Sequence, residues 1–304
     1  MPVKCGTGFR AFQQPPRSMI FQEVFDRVQP EVKEAVDELF KAIYRNQDHP
    51  QDILLTEIGH FTEIDNGFGP GLGGWDHEAE HTQYEFYDLY RKQFLVTEAH
   101  HVLHDKAKSD PQVARAMRQT IQLEMMIYLR FWEADRLLKK LYQYTQLALG
   151  RPFNWQYSIG PDDSRQELIR LHVRDPLKTS CPKYYALLKK IYRSQVRNAV
   201  AHSQFYVTEH NIGFTNYVAG TYANLTQERF PWWEEIFHRV VLFYNELFRQ
   251  QHEINAKAKR QDQLALGRGL EVRCTNPSRS FSKNVHWTFN YERNIWDWVG
   301  NTNK

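Results

Sequence analysis

Cysteine is scarce in this 304-residue chain, and the few cysteines are scattered. Cys5, Cys181 and Cys274 are odd in number and far apart, so they form neither a disulfide framework nor the spacing of a metal site. This usage fits a reducing compartment, and we expect a cytoplasmic protein.

Long apolar runs are also missing. The sequence has no stretch of about 18 consecutive apolar residues, the length that predicts a membrane span. The first ten residues, MPVKCGTGFR, lack the apolar segment of a signal peptide. We therefore expect a protein without a membrane partner.

An excess of one charge sign is the third absence. The chain has 39 Lys and Arg residues and 36 Asp and Glu residues, which gives a net charge of +3. Bulk charge therefore does not predict nucleic-acid binding, and any such surface must be a local patch. The chain is instead rich in aromatic residues, at 14%, and its 41% of hydrophobic residues suffices for a sizeable core.

Apolar residues at spacings of three and four predict a mostly helical chain. Pro30 is expected to divide the first helix, because proline lacks the amide donor that the helix interior needs. The segment 54–64 is predicted to be extended, and 67–74 and 150–163 are predicted loops. The predicted helices cover 18–47, 76–108, 111–149, 164–172 and 230–262.

A further helix is predicted over 182–202, with Ser180 or Cys181 at its start and Pro182 in its first turn. Its buried stripe is predicted to contain Tyr184, Leu187, Leu188 and Ile191. After this helix, 205–208 and 212–215 read as the two strands of a small hairpin. The tail from 270 to 300 alternates aromatic and polar residues and is also predicted to form strands.

The end of that helix contains the pattern R-x4-H, formed by Arg197 and His202, with Asn198 directly after the arginine. Histidine suits proton transfer near neutral pH, because its ordinary pKa is about 6.5. Arginine keeps its charge and grips two phosphate oxygens at once. These residue types suit cleavage of an RNA phosphodiester, which needs one proton removed and another delivered.

Helical geometry limits how the three groups combine. Arg197 and His202 lie about 140° apart around a continuous helix, whereas Asn198 and His202 share a face. One remedy is a helix that ends near Ala201, which frees His202. The other is a pair of helices that meet at a two-fold axis and pool their residues.

The RNAVAH segment resembles the motif of the HEPN superfamily, many of whose members are metal-independent ribonucleases. The resemblance covers about residues 110–260, and the hairpin after the motif is similar to that of some subgroups. It implies an all-α bundle of HEPN type and a composite site at a homodimer interface. It also implies a toxin or phage-defence effector that cuts tRNA or mRNA and is held in check by a neutralising partner protein. Arg197 would hold the phosphate, His202 would move protons and Asn198 would orient His202.

This resemblance divides the chain into three parts. Residues 1–110 would be an N-terminal helical extension, 111–262 the HEPN-like domain, and 263–304 an aromatic tail packed on the bundle. Candidate RNA-binding residues near the motif are Lys189, Lys190, Arg193, Tyr206 and His210. The basic residues would guide RNA, and the last two would stack on or touch a base.

Three alternatives remain open. Arg197 and His202 could simply complement the helix dipole, without chemistry, or the chain could be a HEPN-like module that binds RNA or dimerises without cutting. His77, Glu78 and His81 satisfy the zinc-protease pattern H-E-x-x-H. Acidic residues surround that pattern at the start of a predicted helix, which favours a solvated helix end, so no metal or cofactor is expected.

Overall fold

The chain is mostly helical and carries three small antiparallel sheets in the part that the structure describes. The computed structural model describes residues 19–47, 53–54, 56, 61–64, 67–70, 110–151, 157, 159–160, 162–208, 211–215, 226–266, 268–276, 281–292 and 295–299. The predicted helix over 76–108, with the H-E-x-x-H pattern, lies outside these residues.

The helices are α1 (Met19–Asn46), α2 (Pro111–Glu133), α3 (Asp135–Ala148), α4 (Arg165–Glu167), α5 (Pro182–Ile191), α6 (Ser194–Ala201) and α7 (Phe230–Leu264). Helix α4 continues directly into a π-helix, Leu168–Arg174, and a 3-10 turn, Asp175–Leu177. The strands are β1 (Phe61–Ile64), β2 (Gly67–Pro70), β3 (Phe205–Val207), β4 (Asn211–Phe214), β5 (Thr226–Arg229), β6 (Leu270–Asn276), β7 (Phe281–Asn290) and β8 (Ile295–Val299).

Helix α1 is at the centre of the core and packs against α3, α5 and α7. The predicted division of α1 at Pro30 is wrong, because the helix runs through that residue without interruption. Val28 and Val32, on either side of the proline, are fully buried, so both halves of the helix contribute side chains to the core.

Two predicted helices are each divided in the structure. The segment 111–149 breaks at Ala134, whose backbone is extended, and ends at Gly150, whose φ is +61°. The segment 182–202 breaks at Tyr192 and Arg193, which separate α5 from α6. Its predicted stripe is nevertheless confirmed, because all four of its apolar side chains are buried.

Tyr128 stabilises the second break. Its buried hydroxyl donates to the carbonyl oxygen of Ile191 at 3.0 Å and accepts the amide of Arg193 at 2.8 Å. One side chain thereby satisfies the end of α5 and the start of α6, where main-chain groups lack helical partners. The direction of α6 is therefore fixed by α2, which carries Tyr128.

The sheets are local. Strands β3, β4 and β5 form one antiparallel sheet, which confirms the predicted hairpin and adds a third strand. Strands β6, β7 and β8 form another, as the alternating tail predicts, and Asp262 of α7 accepts the amide of Phe289 at 2.7 Å. Strand β2 pairs with β1, so part of the predicted glycine-rich loop is a strand. Leu54 and Thr56, predicted to be extended, are helical.

No helix in the described ranges combines the length and the apolar character needed to cross a bilayer.

Candidate functional site

His202 stands at the C-terminal end of α6, directly after its last residue. The amide of Ser203 donates to the carbonyl oxygen of Val200 at 3.2 Å. The amide of Gln204 donates to the carbonyl oxygen of Ala199 at 2.7 Å. Ser203 has a φ of 55°, so the turn is a Schellman motif with serine at the left-handed position. This turn ends the helix as one of the two remedies requires, and it leaves the His202 side chain exposed.

Arg197 lies one turn earlier on α6 and is held on two sides. Its Nε donates to Oε1 of Glu133 at 2.5 Å, and its Nη2 forms an ion pair with the same oxygen. Its Nη1 donates to Oδ1 of Asn198 at 3.0 Å. The side chain is only 20% exposed, so the guanidinium has a defined orientation at the edge of the core.

Glu133 is the last residue of α2, directly before the break at Ala134. Its second oxygen lies 3.6 Å from Nε of Arg165, whose Nη2 forms an ion pair with Oδ1 of Asp135 at 2.8 Å. Glu133 therefore links Arg197 to a second arginine, on the segment that begins α4. The helix break and the ion pairs belong to one local structure.

These ion pairs do not exhaust the guanidinium of Arg197. Arginine carries five N–H groups, and three of them are committed to Glu133 and Asn198. One N–H group remains on each terminal nitrogen, without a described partner. Each of these remaining N–H groups is a charged donor for a phosphate oxygen.

Tyr192 lies in the break before α6 and contributes a buried hydroxyl. Its ring packs edge-on against Trp132 at 5.0 Å, and its oxygen has no hydrogen-bond partner among the described residues. Burial raises the pKa of Tyr192 to about 12, although the guanidinium of Arg197 opposes that rise. The phenol therefore keeps its proton at neutral pH and stays a hydrogen-bond donor near Arg197 and Glu133.

Asn198 contacts the motif differently from the sequence prediction. Its side chain accepts a hydrogen bond from Arg197, and its main-chain oxygen accepts the amide of His202 at 3.0 Å. No described contact joins its amide group to the His202 ring. The Asn198 side chain therefore contacts Arg197, and only the main chain of Asn198 contacts His202. Within one chain, no described contact brings Arg197 and His202 together.

The other predicted RNA-binding residues differ in their surroundings. Lys189, Lys190 and Arg193 are exposed at the end of α5 and the start of α6. The Lys190 ammonium, however, hydrogen-bonds Glu31 at 2.5 Å. Burial of Glu31 would raise its pKa, but the hydrogen bonds from Lys190 and Arg239 prevail, and its pKa is lowered. Lys190 thus forms an ion pair with Glu31, which Arg239 also contacts, whereas no ion pair is described for Lys189 or Arg193.

Tyr206 is partly exposed on β3, and His210 lies outside the described residues. Glu133 contacts Arg197 directly, and Arg165 contacts Glu133. Neither residue was predicted from the sequence. They lie 64 and 32 positions before Arg197 in the chain. The only local indication of this site was the pair of carboxylates that flank Ala134. It was missed because the apolar periodicity continues through Ala134 and predicts one unbroken helix.

Among the described residues, no three His, Cys, Asp or Glu side chains cluster as metal ligands would. Comparison of the chain with family models, with curated proteins and with solved structures found no match. The HEPN resemblance of the motif therefore stays a prediction from the sequence.

Proposed function

We propose that the protein is a metal-independent endoribonuclease of HEPN type. The RNA 2′-oxygen attacks the adjacent phosphorus and the bond to the 5′-oxygen breaks, which leaves a 2′,3′-cyclic phosphate and a 5′-hydroxyl. One proton leaves the 2′-hydroxyl and one reaches the departing 5′-oxygen. As the resemblance implies, the setting would be a toxin or phage-defence effector acting on tRNA or mRNA.

His202 moves a proton in this scheme, because histidine side chains act as both base and acid near neutral pH, and this one is exposed to substrate. Arg197 binds the scissile phosphate through its two uncommitted N–H groups and stabilises the charge that develops there. In a two-fold dimer, a second copy of the motif supplies the second proton-transfer group. Asn198 and Glu133 hold Arg197 in place.

One observation carries the proposal. Arg197 is oriented by Glu133 and Asn198, each of its terminal nitrogens keeps one N–H without a partner among the described residues, and the same helix ends at an exposed histidine. An oriented arginine suits phosphate binding, and an exposed histidine suits proton transfer.

The test is incubation of the purified protein with total tRNA in EDTA, followed by mapping of fragment ends. We expect cyclic-phosphate and 5′-hydroxyl ends, and a loss of at least about 10²-fold in His202→Ala. His252→Ala is the matched control, because His252 is an exposed histidine on α7, far along the chain from the motif. Cleavage that EDTA abolishes and divalent ions restore would contradict the mechanism, provided that RNA folding is controlled for.

A second candidate is a HEPN-like module that binds RNA or dimerises without cutting. The ion pair between Arg197 and Glu133 favours it, because Arg197 is mostly buried and its removal would leave the Glu133 carboxylate unpaired, a structural role that needs no catalysis. RNA that binds the protein but keeps its mass after incubation would favour this candidate over the nuclease.

A further inference from the structure

The sheet that follows the motif presents a tyrosine on its outer face. Phe214 and Ile212 of β4 are buried and point to the core, and they pair with Phe205 and Val207. Successive side chains of a strand alternate between faces. Tyr206, between those two residues on β3, therefore stands on the opposite face, where it is 37% exposed.

Gly213 leaves the space that the ring of this tyrosine occupies. It is the cross-strand partner of Tyr206, and a Cβ atom at Gly213 would lie 2.1 Å from Cζ of the ring and 2.4 Å from Cε1. Only a residue without a side chain leaves room for the ring. The end of the ring therefore lies directly over the backbone of β4 at Gly213, and the tyrosine is still 37% exposed.

Gln227 fixes the direction of the ring. It pairs with Gly213 from the other side, on β5, and its Nε2 donates to the hydroxyl oxygen of Tyr206 at 3.2 Å. Tyr206, Gly213 and Gln227 form a row across all three strands. A tyrosine held at both ends loses little conformational freedom when a flat ligand stacks on it.

Tyr206 lies close to the motif in the chain. Tyr206 is four residues after His202, so its Cα lies at most about 14 Å from that of the histidine. An unpaired base beside a bound phosphate is a flat ligand that reaches such a surface, and aromatic side chains stack on bases of every sequence.

We propose that Tyr206, seated on Gly213, is the stacking platform for an unpaired RNA base next to the scissile phosphate. This assignment rests on the proposed ribonuclease function, and it adds a binding requirement: the substrate is single-stranded at the nucleotide that contacts the platform. Because stacking tolerates all bases, the platform selects an unpaired strand and not a sequence.

The test is binding of an oligoribonucleotide that spans the mapped cleavage site, measured by fluorescence anisotropy with His202→Ala protein to prevent cutting. A single abasic nucleotide is moved along the strand. We expect one position near the cut at which the abasic change weakens binding about tenfold. Adding Tyr206→Leu should weaken binding of the intact strand by the same factor, and should abolish the effect of that abasic position.

Tyr206→Phe keeps the ring but loses the hydrogen bond from Gln227, so it should bind more weakly than the parent and more tightly than Tyr206→Leu. Gly213→Ala displaces the ring and should resemble Tyr206→Leu, with no added loss when both are combined. The control is Tyr291→Leu, since Tyr291 is an exposed tyrosine, 55% accessible, beside the C-terminal sheet.

Two failures are distinguishable. A parent protein that cuts RNA, together with a Tyr206→Leu variant that shows the parental abasic profile, overturns the platform and leaves the nuclease intact. A parent protein that neither cuts nor binds RNA overturns both.

Discussion

Glu133 is the residue on which the orientation of Arg197 depends. It contacts two nitrogens of that guanidinium, and it lies on a different helix. If Arg197 holds the phosphate, Glu133 is a positioning residue. A purely structural ion pair would have the same geometry, so kinetics must separate the two roles.

We expect Glu133→Gln to lower kcat by roughly 10- to 100-fold, because a misplaced phosphate ligand costs rate at the reacting centre. KM should not rise, since removing a carboxylate beside Arg197 does not weaken its attraction for phosphate. Asp135→Asn is the matched control, because that neighbouring carboxylate contacts Arg165. A stability loss with unchanged kcat would assign Glu133 to the fold alone.

Ser203 occupies a conformation that favours glycine. Its φ of 55° lies in the left-handed region, where the backbone of residues other than glycine is strained. We expect Ser203→Gly to raise the free energy of unfolding by about 0.5–1 kcal/mol, measured by urea denaturation. Ser203→Ala keeps a Cβ atom and should gain nothing. An equal gain in both variants would show that strain at this turn is not the cause.

At the scale of elements, the break between α5 and α6 determines where the motif points. Apolar periodicity predicted one helix over 182–202, and neither glycine nor proline marks the break. The chain leaves the helix there because Tyr128, on α2, supplies hydrogen bonds to both ends. The boundary thus depends on a partner more than sixty residues away.

We expect Tyr128→Phe to destabilise the protein by about 1–3 kcal/mol, because it leaves buried main-chain groups without a partner. It should also reduce cleavage, since α6 loses its fixed direction. Tyr142→Phe, which removes a hydroxyl that has no hydrogen bond to the described main chain, should cost less. Thermal unfolding and tRNA cleavage are the measurements, and equal losses in both variants would contradict this role of Tyr128.

At the scale of the whole molecule, the relation of Arg197 to His202 predicts a homodimer. Within one chain the arginine is tied to α2, and the histidine is exposed beyond the helix end. A second copy of α6 across a two-fold axis would supply the missing partner for each.

Light scattering should therefore give twice the chain mass of 36.3 kDa at micromolar concentration. Cleavage per molecule should fall when dilution dissociates the dimer. A strict monomer whose specific activity stays constant on dilution would exclude a composite site.

The sequence by itself determined the helical character, the buried stripe of α5 and the hairpin after the motif. These features follow from periodicities of three to four or of two residues, which the chain carries locally. It also placed Arg197, Asn198 and His202 at the end of one helix. Only local order was needed for each of these predictions.

Tertiary structure alone decided the partners of those residues. Glu133 reaches Arg197, Tyr128 ends α5, and the segments around Pro30 stay in one helix, each through contacts between distant parts of the chain. Such contacts depend on how helices pack, which no local periodicity encodes. For this reason the sequence predicted the groups of the candidate site, whereas the fold decided which of them are oriented and which remain free.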